Sequence, residues 1–227
     1  MKITQLVRTF RPLMQKHGFL TKNHRYYTVK NNLYFGLSFD CPGGLVYCTA
    51  YVIPLWLPCG AEIYTYGNRI HAMKQCGIPP FRLDSRDDAA EQWVSGVAGF
   101  LEQRIFPFFS SVSSPECLVR FLRNSGHGPH DFFFCSEIEW NRLVVYTDLC
   151  TGALDDLPEK IENAKETLSA SAYLTDAVKE RDLQELSEIA ALAALNDPKR
   201  AAMFCSETIA RTSASLQNSP SNLRPGG

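Results

Sequence analysis

The chain has 227 residues, 45% of them hydrophobic and 21% charged, with a formal net charge of −1 at pH 7. Such a chain can bury a sizeable core without metal or disulfide support. The near-neutral charge lacks the electrostatic footprint of a nucleic-acid or anionic-membrane binder, and no Lys/Arg run supplies one locally.

The opening stretch MKITQLVRTFRPLMQKHGF interrupts its apolar residues with Arg8, Arg11 and Lys16, so it has no signal-peptide core. No stretch reaches the roughly 18 apolar residues that span a bilayer. The expectation is a cytoplasmic protein. Ile3, Leu6, Val7, Phe10, Leu13, Met14 and His17 mark one face of a helix over residues 4–17, and Gly18 stands at its C′ position. Pro12 removes a backbone donor and threatens to kink or split that helix.

From His24 to Gly67 the period becomes two. In 33–40, Leu33, Phe35, Leu37 and Phe39 share one face, and Tyr34, Gly36, Ser38 and Asp40 share the other. Strands are expected at 26–30, 33–40, 45–53 and 61–66. Asn31-Asn32 forms a two-residue hairpin turn, because Asn tolerates positive φ. Pro54-Leu55-Trp56-Leu57-Pro58 interrupts the pattern and reads as a rigid apolar loop tip.

Beyond Asp84 the pattern is helical. Ser85 and Asp88 suggest a helix start, Pro107 breaks that helix, and Ser114-Pro115-Glu116 starts another. Further helices are expected at 136–150, 156–170, 173–195 and 198–215, with breaks at Gly152, 155–158 and 196–198. The fold class is α+β: an antiparallel four-stranded sheet flanked by helices, followed by a C-terminal helical region. The expected organisation is an α+β domain over 1–125, a helical region over 126–216 packed on it, and a disordered tail over 217–227.

The order of "KHGF" at the end of a leading helix, an aromatic strand pair, "GNRI" and then "IFPFFSSVSSPECLVRFL" resembles the uncharacterised bacterial family called domain of unknown function 4304. The resemblance covers Ile3 to Leu122. It implies an α+β fold and a bacterial origin, and it transfers no activity or site residue.

His127 and His130 form H-x-x-H with Asp131 beside them, but in a Gly/Pro-rich loop rather than on a helix face. Cys135 with His127 or His130 is a sequence neighbour pair, not a demonstrated dyad. The eight cysteines are scattered without C-x-x-C spacing, and in a reducing compartment they read as free, mostly buried thiols. The paired carboxylates Asp87-Asp88 and Asp155-Asp156 fit helix N-termini. No nucleophile elbow or phosphate-binding glycine motif is present. No catalytic residue, cofactor or metal is therefore assigned.

The group with most chemistry lies on and beside the sheet: Arg25, Tyr27, Tyr34, Tyr47, Tyr51, Trp56, Tyr64, Tyr66, Arg69 and His71. If one sheet face is open, this is the composition of a recognition surface. Arg25, Trp56, Tyr64, Tyr66, Arg69 and His71 are the candidate contact residues. The first expectation is a non-enzymatic protein-binding module, with an immunity- or antitoxin-like role as one version. The alternative is a small-molecule binder or hydrolase with a pocket between sheet and C-terminal helices, lined by Tyr66, Arg69 and His71. Homodimerisation through Ile189, Leu192 and Leu195 is a third possibility. Nucleic acid and membrane are not expected partners.

Overall fold

A computed structural model describes residues 2–22, 24–58, 66–112, 114–125 and 134–218. The chain divides into two compact units, one built from Met1–Ile53 and Ile63–Phe134, the other from Pro54–Glu62 and Cys135–Asn218. The helical unit thus takes in the proline-flanked segment from the middle of the sheet sequence.

The first unit opens with α1 (Ile3–Thr9) and α2 (Arg11–Lys16), separated at Phe10. Pro12 sits in the first turn of α2, where a missing N–H costs nothing, and this splits the expected single helix. Gly18 takes φ 77°, and the N–H groups of Gly18 and Phe19 donate to the carbonyls of Gln15 and Met14. That is the Schellman closure expected of glycine at this position.

Among the described residues the sheet has six strands, against the four expected: β1 (Leu20–Lys22), β2 (Arg25–Lys30), β3 (Leu33–Asp40), β4 (Leu45–Pro54), β5 (Tyr66–Arg69) and β6 (Phe81–Arg82). They run in the order β1-β2-β3-β4-β5, and β6 pairs with β4. β1 pairs antiparallel with β2, β2 with β3, and β4 with both β5 and β6. β1 and β6, three and two residues long, are too short to show alternation, so backbone pairing alone defines them. Most of the strand expected at 61–66 falls outside the described residues. Asn31 and Asn32 take φ 51° and 61°, the left-handed pair that a twisted hairpin needs.

On one sheet face Phe39 stacks on Phe10 at 4.9 Å, and Phe35 meets Phe109 at 4.8 Å. The Tyr26 hydroxyl donates to the Val7 carbonyl at 2.7 Å, tying this face to α1. Helices α3 (Asp87–Phe100), α4 (Phe106–Ser111) and α5 (Pro115–Ser125) follow. Pro107 does not stop the helix as expected. A π-helical turn over Leu101–Ile105 joins α3 to α4 and places Pro107 in the first turn of α4, where its ring and missing donor are accommodated.

The other face carries stacked rings, Tyr27 on Tyr34 at 5.2 Å and Tyr34 on Tyr51 at 6.2 Å. A Cβ on Gly36 would fall inside the Tyr51 ring, so glycine makes room for that ring to lie across β3. This face is not open over its centre: Tyr34, Ser38, Thr49 and Tyr51 are all buried.

The second unit contains α6 (Glu137–Thr151), α7 (Leu157–Ala170), α8 (Asp176–Ala194) and α9 (Pro198–Asn218). Ser136 and Glu139 form a reciprocal capping box at the start of α6, and Gly152 ends that helix at φ 76°. In α6, Leu143 through Thr147 are consecutively buried, as in a helix enclosed on all sides. Leu55, Trp56 and Leu57 are buried in this same unit. The expected exposed tip is instead a core peg, since two leucines and an indole gain more from burial than from exposure. The expected stripe of Ile189, Leu192 and Leu195 is also broken up: Ile189 is buried on α8, whereas Leu195, just past its end, is exposed. Gln217 and Asn218, expected in the tail, end α9, and the rest of the expected tail lies outside the described residues.

The free-thiol expectation fails at one place. Cys150 and Cys205 form a disulfide with Cα atoms 5.7 Å apart. Sequence spacing concealed this pair because 55 positions separate its members. Among the described residues no helix is long and apolar enough to cross a membrane.

Candidate functional site

Strand register assembles the site. Arg25 lies opposite Ser38, and Tyr27 opposite Gly36. On the next pair, Thr49 lies opposite Arg69, Tyr51 opposite Gly67, and Val52 opposite Tyr66. Side chains alternate along a strand, so Arg69 shares the face of Thr49 and Tyr51, while Tyr66 points to the opposite face. Tyr66 and Arg69, which the pocket expectation joined with His71, therefore lie on opposite faces of the sheet. Tyr66 is buried. Trp56 belongs to the other unit. Tyr64 lies outside the described residues, as do His127, His130 and Asp131. Arg25 sits half-buried at the start of β2.

What the sheet does bring together is a rim cluster. The Arg69 guanidinium donates to Asp40 at 3.2 Å and lies over the Tyr47 ring, 4.0 Å from its centroid. The His71 ring stands 5.0 Å from the Tyr47 ring. Asp40, Thr49, Gly67, Asn68 and Arg69 line a depression of about 210 Å³. Gly67 keeps β5 close to β4, because a Cβ there would meet the Ala50 carbonyl oxygen and the Tyr51 Cβ at 2.5 Å.

Arg69 and Asp40 keep 44% and 40% of their side-chain surface exposed, so a partner can reach both. Burial pushes the Asp40 carboxyl above the usual range, opposed by the neighbouring Arg69. Burial, with Arg69 adding to it and Asp40 opposing it, holds His71 below the ordinary imidazole value, so its ring is neutral at pH 7. The cluster offers a fixed cation, a neutral imidazole and a carboxylate.

Asp40 and Tyr47 are the residues that a strand-by-strand reading underweights. Alternation already puts Asp40 on the Tyr34 face, but only the β4–β5 register carries Arg69 to it. Elsewhere, burial raises the Cys135 thiol to about 12, with Glu139 adding to the effect, so Cys135 is protonated and not a poised nucleophile. Among the described residues no group of three or more His, Cys, Asp or Glu side chains could hold a metal ion. No family model, curated protein or solved structure matches this chain.

Proposed function

We propose that this chain is a non-enzymatic, cytoplasmic protein-binding module that holds its partner at the sheet rim formed by Tyr47, Arg69, His71 and Asp40. One observation carries the reading: Arg69 is fixed from two sides, by Asp40 and by the Tyr47 ring, yet stays half-exposed. An arginine fixed in advance loses little freedom on binding and presents its remaining donors to a partner's carboxylates or carbonyl oxygens. Arg and Tyr are also the residue types that dominate binding hot spots. The depression of about 210 Å³ is smaller than the roughly 300–1,000 Å³ typical of small-molecule pockets, which favours a protein surface as its occupant.

The test is affinity capture from the native host, run with the wild-type chain, Arg69→Ala and a distant surface variant, Lys165→Ala. The expected result is a co-purifying protein of defined mass that Lys165→Ala retains. Arg69→Ala should reduce it by about tenfold or more, the size of a hot-spot loss. Equal retention by Arg69→Ala, or no partner at all, overturns the reading.

A further inference from the structure

Helix α9 is joined to its unit by an unusually polar seam. Its buried stripe reads Ala201, Cys205, Thr208, Thr212 and Leu216. The Thr208 hydroxyl donates within its own helix, to the Phe204 carbonyl at 2.9 Å. The Thr212 hydroxyl donates to the Leu57 carbonyl at 2.9 Å. Such a stripe removes less apolar surface from water than that of α7, where Leu157, Ile161, Ala164 and Leu168 are buried. What fastens α9 covalently is Cys150–Cys205, from the end of α6 to the third turn of α9.

The rest of the unit is held together without α9. Arg142 on α6 donates to Glu185 on α8 at 2.9 Å and lies 3.6 Å from the buried Asp182. Asn141 on α6 donates to Thr167 on α7 at 3.0 Å, and Lys160 on α7 reaches Asp148 on α6 at 2.6 Å. The chain turns from α8 into α9 at Asn196, which takes φ 46°, and Asp197 accepts from the N–H groups of Lys199 and Arg200 as α9 begins. Cys150 is half-buried and Cys205 buried, so a reductant enters at the Cys150 sulfur.

We infer that Cys150–Cys205 is a redox latch: a dithiol reductant opens it, and α9 then swings off its unit while α6, α7 and α8 keep their fold. A reductant thiolate attacks the Cys150 sulfur, and the S–S bond breaks with its electron pair leaving on Cys205, which takes a proton. The reductant's second thiolate then displaces Cys150, which is protonated in turn. The balance is two protein thiols formed and one disulfide formed in the reductant, with two electrons and two protons transferred. Release removes the Thr212 donor from the Leu57 carbonyl and uncovers the side of α6 that carries Tyr146.

The test is hydrogen exchange of the full-length chain, read by mass spectrometry, before and after dithiothreitol, with thiols counted by alkylation. On reduction the α9 amides should exchange about tenfold faster or more, while those of α6–α8 keep their protection, as a local opening requires. Reoxidation should restore α9. The Cys150→Ser variant, which cannot form the bond, should show the open pattern without reductant. Four results overturn the inference: no Cys150–Cys205 bond in the purified protein, a bond that the native protein does not surrender to dithiothreitol, unchanged α9 protection after both thiols appear, or loss of protection throughout the unit.

Discussion

The Trp56 indole N–H donates to the Thr147 hydroxyl at 3.1 Å, joining residues 91 positions apart. Trp56 is 1% exposed and Thr147 2%. A segment that interrupts a strand thus supplies the largest side chain in the core of the helical unit. Trp56→Ala should cost that unit about 3–5 kcal/mol, the usual loss for a buried indole. Trp56→Phe keeps most of the packing, deletes the hydrogen bond, and should cost distinctly less. Urea unfolding of both variants checks this, and an Ala loss under about 1 kcal/mol would show that Trp56 is not a core residue.

Gly36 is the second test position, because the Tyr51 ring occupies the place of its missing Cβ. Gly36→Ala should destabilise the sheet unit by about 2–3 kcal/mol, the cost of overpacking a filled site. The double variant Gly36→Ala/Tyr51→Leu should recover part of that loss, since contacting residues are not additive. Thermal melts of the two single variants and the pair measure the coupling.

His17 gives the pH prediction. Its ring stacks on Phe106 at 3.8 Å, and among the described residues its buried Nε2 has no hydrogen-bond partner. Burial, aided by Lys16 and opposed by Glu102, lowers its pKa from 6.5. Between the lowered folded value and 6.5 the unfolded chain binds more protons, so stability rises with pH. The contribution is complete above 6.5 and is lost as pH falls toward the folded value. His17→Phe should flatten the rise in urea midpoint between about pH 5 and pH 7, although His71, lowered in the same direction, leaves a residual slope. An unchanged slope would show that His17 does not titrate differently in the folded state.

The local features were legible from neighbouring residues. The alternation at 33–40, the Asn31-Asn32 turn, the Gly18 and Gly152 helix ends and the breaks between α6, α7, α8 and α9 each depend on residues a few positions apart. Backbone sterics and hydrogen bonding act over that range. Tertiary structure alone decided the rest. An apolar run between two prolines reads the same whether it caps a loop or fills a core, so only the packed helices placed Trp56. Asp40 and Arg69 became partners because strand register carried them to one rim, and Cys150 met Cys205 because α9 returns along α6. Side-chain periodicity reports which face of an element is buried, but not what that face will meet.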